Sequence, residues 1–258
     1  MSYQNISLSQ PKLTLSNGQT PTLLLEYGFD VVDERETLDG GIKIGYIWQP
    51  TESLHSLKMD MLTSVSRKIE IDCHETVEIS FNSLVSVDQS IIINNGTMGG
   101  LTERLLRVLN FPALETVGIN FMIGGLYGEC PDVDSLLLPN LATVNGDFKI
   151  LSFAGITDLD LPLLATVNGG FEVKYCYSLV HLDMPSLVYL ENYTYDLSWN
   201  ALDAASVNAI LARAVACAGF TNAGTIDLSN GTNAAPTGQG LTDVATLTSR
   251  GISVSVNS

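Results

Sequence analysis

Residues 136–150 read LLLPNLATVNGDFKI, and residues 159–173 repeat this stretch as LDLPLLATVNGGFEV. Pro139 recurs as Pro162 and again as Pro185, at a constant spacing of 23 residues. A period between about 20 and 50 residues marks a stacked repeat, in which each unit buries its apolar face against its neighbours. The stretch therefore predicts a repeat solenoid.

Seven apolar positions accompany each reference residue, at six, three and one residues before it and at two, five, nine and eleven residues after it. Around Pro139 they are Val133, Leu136, Leu138, Leu141, Val144, Phe148 and Ile150. The same positions recur around four other reference residues, Asp60, Asn82, Pro112 and Pro162, and they begin again around Pro185. Only Thr76 breaks the apolar pattern of the five complete units.

The spacings within a unit predict short strands joined by corners. Side chains two residues apart, such as Phe148 and Ile150, share one face of a strand. Pro139 suits a corner because its φ is fixed and it has no N–H to donate. The Asn-Gly pairs at 145–146 and 168–169 suit a second corner at which glycine would adopt a positive φ. Each turn of the chain is thus expected to hold two strands, stacked into parallel sheets.

Three regions follow from where this pattern begins and ends. Residues 1–30 lie outside the repeat and are predicted to form an N-terminal arm or cap, because terminal repeats are usually atypical. Residues 31–196 form the β-solenoid, with glycine-rich loops expected near 94–100 and 124–132. Residues 197–258 form an α/β leucine-rich C-terminal cap.

The C-terminal region changes type at residues 195–202, which read YDLSWNAL and match the LxLxxNxL form of a leucine-rich repeat. A helix capped by Asp203 is predicted next, and its apolar face is given by Val207, Ile210, Leu211, Ala214 and Val215. Gly219 is expected to end that helix. A strand over 225–228, a helix over 241–250 and a strand over 252–256 complete the prediction.

The repeats at 54–190 resemble receptor L domains and related cell-wall leucine-rich repeats, which carry Pro-x-Leu-x-x-Val/Ile-x-Gly-x-Leu-x-Ile in each coil. The resemblance implies a right-handed parallel β-solenoid. Receptor L domains are secreted and disulfide-bonded, and neither property is expected here, so their hormone-binding role does not transfer. Residues 197–258 resemble the ends of leucine-rich modules in virion proteins of tailed bacteriophages and in some bacterial surface proteins.

Composition narrows the classes of partner. The 258-residue chain has 28 acidic and 12 basic residues, a formal net charge of -16, which disfavours binding to nucleic acid or to anionic membranes. No apolar run reaches membrane-spanning length and no signal peptide is recognised. The four cysteines, Cys73, Cys130, Cys176 and Cys217, are far apart and are predicted to be buried small apolar residues of a reduced protein.

The sequence offers no catalytic, cofactor-binding or metal-binding motif, and a non-enzymatic protein without a cofactor is expected. Its histidines, His55, His74 and His181, fall on separate coils and lack partners that would indicate chemistry. Asp158, Asp160 and Asp183 occupy outward positions of neighbouring coils. They are interpreted either as a solvated sheet face or as a cation site between coils.

Aromatic residues concentrate near the junction with the C-terminal cap. Candidate binding residues are Tyr175, Tyr177, His181, Tyr193 and Trp199, with Tyr189 and Tyr195 close by in sequence. Two interpretations remain open. The rings either pack beneath the cap or form an exposed platform for a sugar or a protein, since Tyr and Trp provide rigid contact area.

The resemblance implies a structural or adhesive virion protein of a bacteriophage, such as a tail-associated, tail-fibre or capsid-decorating subunit made in the host cytoplasm. Expected partners are other virion proteins, reached through the N-terminal arm in a multi-copy assembly, and a host-surface glycan or protein. The alternative is a bacterial surface module that binds proteins or glycans.

Overall fold

The computed structural model describes residues 5–7, 13–14, 22–25, 30–32, 37–38, 40–44, 56–72, 77–94, 106–124, 133–190, 194–217 and 224–258. Within these ranges most of the regular structure is β-strand, joined near the C-terminus by two helices. The expected loops near 94–100 and 124–132, together with His55, His74, Cys73 and Cys130, lie wholly or largely outside the described residues.

Successive turns of the chain add strands to the same sheets. The first sheet contains β1 (Asn5–Ser7), β4 (Asp30–Val32), β7 (Ser56–Lys58), β10 (Glu78–Ser80), β13 (Val108–Asn110) and β16 (Ser135–Leu137). The second contains β5 (Thr37–Leu38), β8 (Ser64–Val65), β11 (Ser86–Val87), β14 (Thr116–Val117), β17 (Thr143–Val144), β20 (Thr166–Val167) and β23 (Tyr189–Leu190).

The third sheet is the longest and runs into the C-terminal region. It contains β2 (Leu13–Thr14), β3 (Thr22–Leu25), β6 (Gly41–Ile44), β9 (Ile69–Asp72), β12 (Ile91–Asn94), β15 (Phe121–Gly124), β18 (Phe148–Leu151), β21 (Phe171–Lys174), β24 (Thr194–Asp196), β25 (Thr225–Leu228) and β26 (Ser253–Val256). A separate pair consists of β19 (Asp158–Asp160) and β22 (His181–Asp183). Apart from the antiparallel β2–β3 pair, the described strand pairs are parallel. This arrangement is compatible with a β-solenoid.

The prediction of two strands in each turn is wrong, because the structure has three. The additional strand is the two-residue segment typified by Thr143–Val144, which pairs in parallel with Thr116–Val117 and Thr166–Val167. Two residues are too short to show the alternation by which a strand is recognised, so the sequence pattern indicates only a corner here. Val144 nevertheless points inward and is fully buried.

The predicted apolar register is confirmed by burial and by ring stacking. Phe148 pairs with Phe121 on one side and with Phe171 on the other. The ring centroids lie 5.3 and 4.9 Å apart, and both ring pairs are nearly parallel. Tyr195 extends this column with an edge-on contact to Phe171 at 5.3 Å. The aromatic column therefore links the repeats to the C-terminal region through one core.

The glycines of the Asn-Gly corners serve a different purpose from the one predicted. Neither Gly146 nor Gly169 is among the residues with positive φ. Instead, a Cβ at Gly146 would lie 2.7 Å from the carbonyl oxygen of Ile119, and one at Gly169 would lie 2.6 Å from the carbonyl carbon of Gly146. Stacking of successive turns, rather than a left-handed backbone, is what excludes a side chain at these corners.

The predicted helices and strands of the C-terminal region are largely confirmed. Helix α1 (Ala204–Ala216) begins after Asp203, whose side chain accepts a hydrogen bond from the Ser206 amide. The predicted apolar face is buried, except that Val215 is only partly covered. Helix α2 (Gln239–Ser249) packs on α1 and precedes β26, within two residues of the predicted bounds. The predicted end at Gly219 lies outside the described residues.

The described strands of residues 1–30 join the sheets of the repeat region. Strand β1 pairs in parallel with β4, and β3 pairs in parallel with β6. The antiparallel strand β2 lies at the end of the third sheet. The segment therefore contributes strands to the stack, and the boundary at residue 30 stays a prediction.

Candidate functional site

The exposed aromatic residues Tyr175 and Trp199 lie side by side at the ends of neighbouring turns. Phe171 is paired with Tyr195, and Tyr175 and Trp199 each follow four residues later. Their ring centroids are 6.2 Å apart and the rings are tilted by 32°. Tyr175 is 38% and Trp199 41% exposed. We call these two residues the aromatic pair.

The backbone beneath the aromatic pair adopts a conformation that non-glycine residues rarely occupy. Equivalent residues of four turns have positive φ: Ser152 at 63°, Tyr175 at 60°, Trp199 at 61° and Asn230 at 66°. Hydrogen bonds between turns hold this column, since the Ser152 amide donates to the Lys174 carbonyl at 2.9 Å and the Trp199 amide to the Ser229 carbonyl at 3.2 Å. A left-handed conformation costs about 1–2 kcal/mol for an L-residue, and strained residues of this kind cluster at functional sites.

A buried asparagine supports the turn that carries Trp199. Asn200 is 1% exposed, and its Oδ1 accepts a hydrogen bond from the Cys176 amide at 2.9 Å. Its Nδ2 donates to the carbonyls of Val173 and Leu197 at 2.7 and 2.9 Å. Asn200 thus bridges the turns that carry the two aromatic residues. It is the asparagine of the LxLxxNxL motif.

An alternating row of charges runs along the outer face of the third sheet towards the aromatic pair. Lys149 contacts Asp147 and Glu172 at 3.1 and 2.9 Å. Lys174 contacts Glu172 at 3.3 Å and Asp196 at 2.8 Å. The Lys174 ammonium also lies 5.8 Å from the centre of the Tyr175 ring, within the range of a cation–π interaction. The row places a polar surface directly beside the aromatic pair.

The charges of this row stabilise one another. Burial opposes ionisation of Asp196, but hydrogen bonds from Lys174 and Ser198 outweigh it and lower the pKa of this carboxyl. Burial likewise opposes the charge of Lys174, yet its contacts with Asp196 and Glu172 raise the pKa of the ammonium. Both shifts favour the ionised pair, so at neutral pH the side chains are held in place beside Tyr175.

Replacing Asp196 by asparagine should lower stability at pH 7 by about 1 kcal/mol, because a partly buried ion pair with Lys174 is lost. A lowered carboxyl pKa stabilises the fold above its ordinary value of 3.8, and this contribution is lost as pH falls through the lowered value. The destabilisation should therefore shrink as the pH falls below 3.8 and through the lowered pKa of this carboxyl. Chemical denaturation of both proteins between pH 2 and 7 measures the difference.

Asp227→Asn is the matched control for this prediction. Asp227 accepts the same two hydrogen bonds, from the amide and hydroxyl of Ser229, that Asp196 accepts from Ser198. The excess effect of Asp196→Asn over Asp227→Asn then isolates the pair with Lys174. Equal effects at every pH would contradict the prediction.

The remaining predicted binding residues are spread over different parts of the structure. Tyr177 is 52% exposed, but no ring contact joins it to the aromatic pair among the described residues. His181 lies on β22, with its Nδ1 3.3 Å from Asp203. Tyr193 lies outside the described residues. Of the two residues close by in sequence, Tyr189 is half-buried on β23, whereas Tyr195 belongs to the core and its hydroxyl donates to the Met184 sulfur.

The structure therefore divides the aromatic set between the two interpretations. Tyr195 is packed in the core, whereas Tyr175, Tyr177 and Trp199 are exposed. The outward aspartates also lie as predicted, since Asp158 is paired with His181 and Asp160 with Asp183, and all four are exposed. In the described ranges, no three His, Cys, Asp or Glu side chains come together in a way that could hold a metal ion.

The two described cysteines are buried, as predicted, and no disulfide joins them. Burial raises the pKa of the Cys217 thiol to about 11, so this sulfur is protonated and unreactive at neutral pH. Within the described part of the chain, neither helix combines the length and the apolar character needed to cross a bilayer.

Sequence reasoning missed the left-handed column. The column has no compositional signal, because its members are a serine, a tyrosine, a tryptophan and an asparagine. The available signal was the position that they share. Each lies four residues after the inward aromatic residue or isoleucine of a third-sheet strand. Comparisons of the chain with protein-family models, with curated proteins and with solved structures found no match.

Proposed function

We propose that this chain is a non-enzymatic adhesive protein whose aromatic pair binds a carbohydrate of a bacterial surface. The observation that carries the proposal is the exposure of Tyr175 and Trp199 side by side on strained backbone. About two fifths of each of these two large side chains stays exposed, on backbone that is costly for a non-glycine residue. Binding of a ligand that stacks on the rings explains why they are exposed side by side.

The surroundings of the rings suit a sugar. Carbohydrates combine apolar C–H faces with many hydroxyl groups, so they are bound by aromatic rings beside hydrogen-bonding side chains. Lys174, Glu172 and Asp196 provide both donors and acceptors next to Tyr175. Their mutual ion pairs fix their positions in advance, which reduces the entropy cost of binding.

We further propose that the chain is a virion protein of a bacteriophage, in the tail, in a fibre or on the capsid. The resemblance of residues 197–258 to leucine-rich modules of phage virion proteins supports this assignment, and the stacked parallel sheets, which are compatible with a β-solenoid, suit a presenting scaffold. In this proposal the N-terminal region contacts other virion proteins in a multi-copy assembly. The C-terminal half, with the aromatic pair, faces the host.

Attachment assays with alanine variants test the proposal. Tyr175→Ala and Trp199→Ala should each reduce retention of the protein on purified bacterial cell-wall polysaccharides by about five- to thirtyfold, since stacking on one ring contributes on the order of 1–2 kcal/mol. Val188→Ala, which truncates an exposed apolar side chain on another surface, should bind as wild type does.

Melting temperature separates binding from packing in the same variants. Lost retention with an unchanged melting temperature supports the aromatic pair as the ligand site. Melting lowered by several degrees with retention intact would mean that the rings serve packing. Failure of the wild-type protein to retain any of the polysaccharides would contradict the proposed function.

A further inference from the structure

The first sheet is interrupted between β16 and β19, although the other two sheets continue across the same turns. Val144 pairs with Val167 in the second sheet, and Phe148 pairs with Phe171 in the third. Strands β16 and β19 are both fully described, yet they belong to different sheets and no hydrogen bond joins them. Most Cα–Cα distances between the two strands exceed 8 Å, whereas paired strands lie about 4.8 Å apart.

The two strands present main-chain groups to this gap. On β16, the Ser135 amide donates to the Arg107 carbonyl and the Leu137 carbonyl accepts from the Phe111 amide, so these residues face β13. Because successive residues of a strand bond in opposite directions, the amides of Leu136 and Leu138 face the gap.

Strand β19 shows the same alternation. The Thr157 carbonyl accepts from the His181 amide and the Leu161 amide donates to the Asp183 carbonyl, so these residues face β22. The amides and carbonyls of Asp158 and Asp160 consequently face the gap. Two strand edges, which natural proteins usually cover or block, oppose each other across it.

A cavity of about 440 Å³ occupies this gap. The exposed residues Asp134, Asp158 and Asp160 line it, together with the buried residues Leu136 and Leu138. Leu136 is 9% exposed, whereas its equivalents Leu109 and Leu159 are at most 1% exposed. The opening therefore reaches the apolar core of the stack.

We propose that the gap binds an extended, lysine- or arginine-bearing segment of a partner polypeptide, which inserts as a strand between β16 and β19. One added strand needs its two neighbours to lie two strand spacings apart, about 9.6 Å, and Cα–Cα distances that mostly exceed 8 Å are compatible with that requirement. Main-chain hydrogen bonds to both edges supply affinity, and alternate side chains of the guest contact the lining and supply specificity. Insertion makes the first sheet continuous from β1 to β22.

The negative charge around the gap favours a basic occupant. Asp158 and Asp160 line the gap together with Asp134, whose carboxylate lies 3.8 Å from the Arg107 guanidinium, and the whole chain carries a formal charge of -16. A basic strand is therefore attracted and an acidic one is repelled. Residues 125–132 of this chain precede β16 in sequence and lie outside the described residues. They read GLYGECPD, with two acids and no base, and so lack the complementary charge.

Peptide binding tests the charge requirement. The probe is an acetylated, amidated octapeptide of alternating valine and lysine with a fluorescent label, and the matched control replaces each lysine by glutamate. The lysine peptide should bind, and Asp158→Asn/Asp160→Asn should weaken binding by about tenfold or more. Asp88→Asn, which removes an exposed carboxylate elsewhere, should have little effect.

Amide hydrogen exchange tests the main-chain pairing. In the protein alone, the amides of Leu136, Leu138, Asp158 and Asp160 should exchange faster than that of Leu109, which lies in a paired strand. The lysine peptide should slow exchange at these four amides. Absence of binding, equal binding of the glutamate peptide, or binding without this protection would overturn the proposal. So would binding that appears only after residues 125–132 are replaced, because that segment would then be the natural occupant.

Discussion

Replacing Phe148 by alanine is expected to lower the free energy of unfolding by about 3–5 kcal/mol, through loss of buried area and creation of a cavity. Phe148 is fully buried and stacks against a phenylalanine of the turn on either side. The cavity would interrupt contacts between three turns, and the backbone hydrogen bonds between neighbouring turns resist its collapse. Equilibrium denaturation of wild type and variant measures the loss.

Two further variants calibrate this expectation. Phe148→Leu retains most of the apolar volume and should cost clearly less than alanine. Val188→Ala alters a side chain that is 55% exposed and should change stability by no more than about 0.5 kcal/mol. A loss at Phe148→Ala as small as that at Val188→Ala would contradict the core register.

Replacing Asn200 by alanine is expected to cost about 2–4 kcal/mol, because a buried amide and a buried carbonyl lose their partner. The Cys176 amide loses its acceptor and the Val173 carbonyl loses a donor. The Leu197 carbonyl is less affected, since it also accepts a hydrogen bond from Asn233.

Asn145→Ala is the control for Asn200. The Asn145 side chain is exposed and accepts one hydrogen bond from Asn168 at 3.1 Å, so water can replace that contact. Its replacement should change stability by no more than about 0.5 kcal/mol. Similar effects at the two positions would mean that the Asn200 bridge between turns contributes nothing beyond a surface contact.

Periodicity was sufficient to predict the inward residues of the stack. Apolar residues at the positions of Leu141, Val144 and Phe148 recur with the same spacing in every complete unit, and each of these positions is buried. The helix after Asp203 was predictable for a similar reason, since its apolar face and its cap are local features of the sequence.

Contacts between turns are what the sequence does not reveal. The second-sheet strands have two residues each, which is too short to show an alternating pattern of apolar and polar residues. The close approach at Gly146 depends on the backbone of the preceding turn. The interruption between β16 and β19 has no sequence signal either, because Leu136 and Leu159 occupy equivalent apolar positions.

The aromatic pair was predictable as a concentration of rings but not as a geometry. Tyr175, Trp199 and Tyr195 are all large aromatic residues that lie close together in the sequence. Tyr195 is nevertheless buried, because it pairs with Phe171 and continues the aromatic column. Tyr175 and Trp199 lie four residues further on, where the left-handed backbone leaves their rings exposed. In a regular strand, a residue four positions after an inward residue would also point inward. Only the turn geometry therefore leaves Tyr175 and Trp199 exposed.

Fluorescence of Trp199 during ligand titration tests the proposed binding surface most directly. The chain has two tryptophans, so Trp48→Phe leaves Trp199 as the reporter. Titration of this variant with a cell-wall polysaccharide that wild-type protein retains should give a saturable change in emission and protect Trp199 from acrylamide quenching. Both effects should follow the binding isotherm measured by calorimetry. Binding detected by calorimetry with unchanged emission and unchanged quenching of Trp199 would contradict the assignment of the aromatic pair as the ligand site.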